Sequence, residues 1–450
     1  MTLSQADIER IKREQERTNR EQIRLHGAEV KESGQPLVSP TPITDWRSSL
    51  TRRGGRYVGD ERNIIQALRF APELAGLLRF NEFASRIEMT RPAPWNSDGA
   101  EWTDNDDVHL KVWLQERDID CRSTNSIAET VAVIAKERYW HPLRNRLLSL
   151  KWDGRTRVCG WLRDYLNATD DQHYLAAVGT AWIIGAVARI MKPGEQVDHV
   201  LVLAGQQGAG KTQTARILAL EPEYFLGNLP DLRNKDAALV LPGRWIVELA
   251  ELSAVRRAEV EATKSFITQR EDTYRPPYGR RTVSIPRQCV FIGTTNETLF
   301  LRDRTGNRRW WPVSVGKVDL ELLQKDVEQL WAEAVHLYQL GQPWHLTGDA
   351  LTLAENAQAE RVDLTELDIA VTNYLSQLLA NADSARDVYV TTRDIYKFAL
   401  NIDPDSSSFV EQSQRLGTKV HVAITANGWE YVSRKGKRRD RTYVFKGRPG

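Results

Sequence analysis

One octapeptide constrains this chain more than any other segment. Gly205-Gln-Gln-Gly-Ala-Gly-Lys211-Thr212 lies between the apolar run Val200-Leu-Val-Leu203 and a helix-forming stretch, Gln213 to Leu220. A strand that breaks into glycines and restarts as a helix turns successive backbone N–H groups toward one point, at the positive end of a helix dipole. Such a cradle takes a multiply charged anion, and a lysine followed by a hydroxyl at its end suits a triphosphate with Mg²⁺. The residues expected around the nucleotide are Gly205, Gln206, Gln207, Gly208, Ala209, Gly210, Lys211, Thr212 and Gln213. Lys211 is expected on the β- and γ-phosphates and Thr212 on the metal. ATP and Mg²⁺ are the implied cofactors.

Hydrolysis at such a site needs carboxylates near the metal and the attacking water, at the end of a neighbouring strand. Arg244-Trp-Ile-Val-Glu248-Leu-Ala-Glu251 supplies two. Glu248 is the candidate for metal coordination through water and Glu251 for polarising the attacking water, with the two roles exchangeable at this stage. A third apolar run, Cys289-Val-Phe-Ile-Gly-Thr-Thr-Asn296, ends in an asparagine able to hydrogen-bond both phosphate and water. Beyond it, Arg308 and Arg309 follow a turn. A cation supplied by a neighbouring subunit would neutralise transition-state charge, and Arg308 is the first choice, Arg309 the second.

At 450 residues the chain has room for two to four domains of about 100–200 residues each. Its 41% hydrophobic and 27% charged content is that of a folded protein, and a formal charge of +2 leaves any attraction to an acidic partner to local patches. Cys121, Cys159 and Cys289 are far apart, so neither a zinc site nor a disulfide framework is indicated, and a cytoplasmic location is expected. The N-terminus alternates charges (Asp7, Glu9, Arg10, Lys12) where a signal peptide would be apolar. Leu175 to Met191 is apolar but interrupted by Thr180 and Arg189, which predicts a buried helix rather than a membrane span.

Organisation follows from composition and period. Residues 1–45 read as a polar helix (5–30) and a Pro/Ser-rich linker (33–45); the folded part is expected to start near Trp46. Residues 46–150 carry apolar positions at helical spacing (Ile64, Ile65, Leu68, Leu74, Leu77, Leu78), with Thr103-Asp-Asn-Asp106 as a helix cap, and predict a mainly helical domain. Residues 151–345 alternate short β-branched runs with helices, the pattern of an α/β core with a parallel sheet. Residues 346–450 read as helix, strand, helix, longer helix and two basic extended segments, the order of a winged helix-turn-helix domain.

Two basic regions are candidates for DNA contact. Between the second and third core strands, Tyr274-Arg275-Pro-Pro-Tyr278-Gly-Arg280-Arg281 pairs cations with stacking aromatics, as a hairpin lining a pore for single strands would. In the helix 409–426, Gln412, Arg415, Thr418, Lys419 and Val422 share one side, opposite Phe409, Leu416, Val420 and Ala423, and that polar side suits a major groove. The segment after Trp429 carries Arg434, Lys435, Lys437, Arg438, Arg439 and Arg441 against one acid, Asp440, a footprint for phosphates.

The order phosphate loop, strand-end glutamates, strand-end asparagine, paired arginines resembles the superfamily 3 helicases of small viruses and plasmids. Trp152-Asp-Gly, Arg189-Ile with Pro193-Gly194 and Asp198, Glu248-Leu-Ala-Glu251-Leu, Lys264 with Thr268, Arg275-Pro-Pro-Tyr278, and Gly293-Thr-Thr-Asn296 followed by Gly306-Asn-Arg-Arg look more closely like the virulence-associated protein E family of phage and mobile-element replication proteins. The resemblance runs over roughly residues 60 to 345. It implies an AAA+-like P-loop core, a homo-oligomeric ring, usually hexameric, with nucleotide between subunits, and single-stranded DNA in the channel. Origin duplex DNA and phage or host replication proteins are further implied partners. Lys264 and Arg275 match basic positions of the corresponding helicase motif. The sequence departs from many superfamily 3 enzymes in separating Glu248 from Glu251. It also has only about a hundred folded residues ahead of the core, where relatives often carry a primase; Asp104-Asn-Asp106 and Asp118-Ile-Asp120 lack the basic cluster that a primase site would need. The expected function is a replicative DNA helicase. The alternatives are an ATP-dependent DNA-binding switch without processive unwinding, and a non-catalytic adaptor.

Overall fold

The computed structural model describes residues 45–446 apart from 97–98, 228, 230–235, 252–256, 275–281, 302–306, 362–365, 383–385 and 436–439. The polar helix and linker expected before Trp46 lie outside the described residues, as do Arg275, Tyr278, Arg280, Arg281, Lys437, Arg438 and Arg439.

The first part of the chain holds six short strands: β1 (Arg52–Arg53), β2 (Arg56–Val58), β3 (Leu78–Asn81), β4 (Arg86–Met89), β5 (Ile119–Asp120) and β6 (Tyr139–Trp140). They form two three-stranded sheets, β1-β2-β5 and β4-β3-β6, around helices Glu61–Phe70, Asp104–Gln115 and Thr124–Ala135. Helices remain the larger share of this part, and the two small sheets are what the expectation of a mainly helical domain left out. Strands of two to four residues carry too little alternation to register as a period, and two of the pairings, β2 with β5 and β3 with β6, are parallel and join distant segments. The helix start at Thr103 is as expected, with a full capping box between Thr103 and Asp106. A core of its own, including Trp46, Ile64, Leu68, Leu110, Leu114 and Val131, holds this part together.

The centre of the molecule is a five-stranded parallel sheet. Its strands are β7 (Val200–Ala204), β8 (Phe225–Leu226), β9 (Ile246–Leu249), β12 (Val290–Thr295) and β13 (Trp310–Ser314), in the spatial order β13-β7-β12-β9-β8. Between β9 and β12 in sequence, β10 (Glu271–Tyr274) and β11 (Val283–Pro286) form an antiparallel hairpin stem. Successive residues of β7 point to opposite faces, and both faces are apolar because both are covered. Leu201, Leu203, Ile292 and Val313 join a large core with helices Gln172–Met191, Lys211–Leu218 and Leu320–Gln339; Val200, Val202, Phe291 and Trp310 join a second with Phe266, Ile267 and Leu301.

Three buried indoles tie the layers with hydrogen bonds as well as area. Trp182 donates to the Phe291 carbonyl (2.9 Å), Trp245 to Ala186 (3.1 Å) and Trp331 to Leu218 (3.0 Å). Helix Gln172–Met191 is long and apolar enough to cross a membrane, and 78% of its most apolar window is buried inside the protein. Arg189, on that helix and 1% exposed, donates its two terminal nitrogens to the carbonyls of Arg287 (3.3 Å) and Val197 (2.9 Å), while its Nε is buried without a partner among the described residues.

Two helices pack with this sheet from beyond the expected limits of 151 and 345. Leu143 and Leu147 of helix Pro142–Ser149, and Ala354 and Ala357 of helix Asp349–Ala359, enter the large core; Gln358 donates to the Trp310 carbonyl (2.8 Å). The stretch after Pro343 continues this unit, since Trp344 and Leu346 also pack against the large core.

Residues 366–446 comprise helix Glu366–Ala380, β14 (Val388–Thr391), a helical segment over Thr392–Ala399 whose last five residues form a π turn, helix Phe409–Ala426, β15 (Glu430–Lys435) and β16 (Asp440–Phe445). The strands pair antiparallel in the order β14-β16-β15, and Val371, Leu375, Ile395, Val420, Ile424, Trp429 and Tyr443 make their core.

Candidate functional site

The loop after β7 curls around its own lysine. Gly208 and Gly210 have φ of +80° and +100°, the second as N-cap of helix Lys211–Leu218, so the chain enters the helix through a turn that side chains disfavour. Gly205 is required for a different reason: a Cβ there would sit 2.6 Å from the Val315 carbonyl oxygen beyond β13. Lys211 Nζ donates to the carbonyls of Gly205 (2.6 Å) and Gln206 (2.8 Å) and to Asn296 Oδ1 (2.9 Å). Burial lowers its pKa, and the charge of Glu248 opposes that shift.

Glu248 closes the site from below. It is 3% exposed, and its Oε1 accepts from the hydroxyls of Thr212 (2.7 Å) and Thr294 (2.8 Å). The expectation that its strand neighbours β7 is corrected: β12 lies between β7 and β9, with Ile292 opposite Leu201 on one side and Glu248 on the other. The carboxylate reaches Thr212 past β12 because Thr294 offers a hydroxyl where an apolar side chain would block it. Thr294 is the residue that sequence reasoning missed. Its signal was available, since Ile292 and Thr294 alternate onto one face of β12 and the same alternation leads to Asn296 just beyond it.

The donor set fits the implied groups. A threonine hydroxyl backed by a buried carboxylate is a hard-oxygen pair suited to Mg²⁺. The open side of Gly208, where a Cβ would meet nothing within 4 Å, leaves space along the loop. Asn296 is exposed just after β12 and joins this constellation through Lys211. Glu251 is exposed two residues past β9, with φ at +51°, a conformation costly for a residue other than glycine.

The other expected residues fall elsewhere. Arg308 and Arg309 form a short 3-10 turn leading into β13, at the rim of the sheet opposite the phosphate loop; Arg308 is exposed, while the Arg309 Nε is buried without a hydrogen-bond partner among the described residues. Lys264, expected to contact DNA, is buried (4% exposed) in helix Arg257–Ile267, facing the core like Phe266 and Ile267, which removes it from an open surface. The stem of the expected pore hairpin is fixed at its base by a buried ion pair between Arg287 and Asp272, with Arg287 stacked 4.4 Å over Phe266. Arg415, Thr418 and Lys419 are exposed on helix Phe409–Ala426, whereas Gln412 and Val422 are half-buried. Arg434 and Lys435 lie on β15, opposite Arg441 and Asp440.

The motif Trp152-Asp-Gly is a turn lock: Asp153 accepts from the Arg155 N–H and from the Arg157 guanidinium (2.9 and 2.8 Å), and the Trp152 indole donates to the Arg155 carbonyl. Arg157 and Val158 in turn donate their N–H groups to buried Glu333.

Comparison with known proteins agrees with the sequence resemblance. The C-terminal region of NrS-1 in its apo structure is similar at 14% identity over 82% of this chain and 96% of that chain, with a TM-score of 0.43. A second apo form of that region gives 12% identity, the same coverage and a TM-score of 0.44. The SCCmec type IV Cch, described as an active helicase, gives 10% identity over 83% of this chain and 98% of that one, with a TM-score of 0.33. No curated protein matches the sequence. Residues 147–363 match the virulence-associated protein E-like domain, so the central part of the chain is similar to that family.

Proposed function

We propose that the chain is an ATP-hydrolysing DNA helicase of superfamily 3 type that serves replication of a phage or other mobile element. The observation that carries this reading is the linked set Lys211–Asn296 and Thr212–Glu248–Thr294 around a glycine loop at the end of a parallel strand. Lys211 neutralises phosphate oxygens, and Mg²⁺, held by Thr212 with Glu248 behind it, supplies Lewis-acid charge neutralisation. Glu251, exposed just past β9, orients and polarises water, and Asn296 positions that water against the phosphate. Arg308 completes the site of an adjacent copy in a ring. The stem β10–β11 carries the basic, aromatic tip toward single-stranded DNA. Residues 366–446 act as a winged helix-turn-helix unit that presents Arg415 and Lys419 to duplex DNA, with the basic strand β15 as its wing.

The decisive experiment is steady-state ATP hydrolysis by the wild type and Glu251→Gln, with and without single-stranded DNA, beside strand displacement on a forked duplex. DNA-stimulated hydrolysis with unwinding, both lost in the variant, supports the helicase. Hydrolysis without strand displacement replaces it with an ATP-driven DNA-binding switch, and no hydrolysis under any condition overturns the catalytic reading.

A further inference from the structure

The first part of the chain carries a cationic face that none of the preceding functional assignments uses. Strands β1 and β2 form a hairpin through Gly54-Gly55, both at positive φ (+61° and +84°), as a two-residue turn demands. Arg53 and Arg56 are paired directly across that hairpin, so their side chains leave the same face. The parallel pairing of Val58 with Asp120 puts Asp120 on that face too. Asp120 feels the charge of Arg56, but Arg122 holds it with two hydrogen bonds of 3.1 and 2.9 Å. Arg53 and Arg56 are exposed, and their side chains make no ion pair or hydrogen bond among the described residues. On the opposite face, Arg52 stacks 4.4 Å from the Tyr57 ring and Ile119 enters the core, so the three-stranded sheet is anchored inward and bare outward.

Like charges directly opposite each other weaken a strand pair, and a hairpin of two- and three-residue strands has little stability to spare. The arrangement becomes favourable when an anion lies between the two guanidinium forks, and a chain of anions uses Arg122 as well. We infer that the face formed by Arg53, Arg56 and Arg122 binds the phosphodiester backbone of DNA, as a contact separate from the β10–β11 tip and from the C-terminal unit. It reads charge and not sequence, because guanidinium forks on an exposed sheet face reach phosphates without entering a groove. The inference is independent of the nucleotide site, since no residue of the loop takes part.

The test is equilibrium binding of the full chain, without nucleotide, to labelled oligothymidylate and to a duplex of about 30 base pairs across a salt series. The double variant Arg53→Gln with Arg56→Gln is compared with the wild type. Losing two phosphate contacts lowers the slope of log affinity against log salt by roughly 1.4 on single strands or 1.8 on duplex, and weakens binding about tenfold at low salt. A reduced slope on either probe supports the contact and identifies which form of DNA occupies it. Unchanged slopes on both probes overturn it, and so does weaker binding at an unchanged slope, which would mean distortion and not lost phosphate contacts. Arg53→Lys with Arg56→Lys retains the charges and restores the slope if phosphate pairing is the cause.

Discussion

Thr294 and Thr212 donate to the same oxygen of Glu248, at 2.8 and 2.7 Å, although the three residues come from three different elements. A single carboxylate oxygen thereby fixes the first turn of helix Lys211–Leu218 to strands β9 and β12. The buried acid is a bracket for the loop as well as a charge beside it.

Thr294→Val leaves the Thr212 contact but removes the lateral hold on Glu248. Outer partners of a metal-binding group typically contribute 10–100-fold to metal affinity or activity. The Mg²⁺ concentration for half-maximal ATP hydrolysis is expected to rise about tenfold, with Thr294→Ser close to wild type and metal-free nucleotide binding unchanged. An unaltered Mg²⁺ dependence in the valine variant would remove Thr294 from the site.

A pH dependence of stability is built in at His141. Its Nδ1 accepts the Arg144 N–H (3.0 Å) as cap of helix Pro142–Ser149, which leaves the proton on Nε2 to be donated to Gln288 Oε1 (2.7 Å). Burial, aided by the Arg144 charge, pushes its pKa down to about 4. The folded pKa is depressed, so the stability contribution is complete above the unfolded value near 6.5 and is lost as pH falls through about 4, a change of roughly 3 kcal/mol. Denaturant melts from pH 7 to 4 should show a shallower decline for His141→Gln than for the wild type. Parallel curves would assign the acid sensitivity elsewhere, His199 being the next group, since burial holds it near 4 as well.

Arg287 and Asp272 join the base of the hairpin stem to the start of β12 from a position with no solvent exposure on the arginine side chain. Removing one member of a buried pair leaves the other uncompensated, at about 3–5 kcal/mol. Arg287→Met is therefore expected to be strongly destabilised in chemical unfolding, and the double variant Arg287→Met with Asp272→Leu to recover most of the loss. Absence of recovery would mean that the Arg287 contacts to Phe266 and Gln269 matter more than the ion pair.

What could be read from sequence divides by range. The phosphate loop was legible because strand, glycines, lysine and helix are contiguous, and Glu248 because it ends an apolar run. The order of strands was not, because β12 pairs with β9, 44 residues before it, and with β7, 91 residues before it, and no local pattern records such pairings. For the same reason Thr294 read as part of a motif without a partner. Lys264 is expected at DNA from its match to a basic motif position, which says nothing of burial, whereas Phe266 and Ile267 near it enter the core. In the first part, Arg53 and Arg56 drew no attention because strands this short leave no periodic trace.

Arg308 yields the prediction that separates a ring from a monomer. In β13, Trp310 pairs with Val200 and Ser314 with Ala204, so the turn holding Arg308 lies at the start of the strands and the phosphate loop at their end. Four residues of extended chain separate the two rims by roughly 13 Å before the turn itself is counted. Arg308 is thus poorly placed to serve the loop of its own chain, while its exposure suits it to a neighbour's. Arg309, beside it, has a buried Nε, and the turn that holds both arginines packs with helix Asp349–Ala359. Arg308→Ala and Lys211→Ala should each abolish hydrolysis alone. Mixed in equal amounts, they should regain up to about one quarter of wild-type activity, because a random interface joins an intact loop to an intact arginine that often. No recovery on mixing, from variants that still assemble, would place the arginine's role within its own subunit.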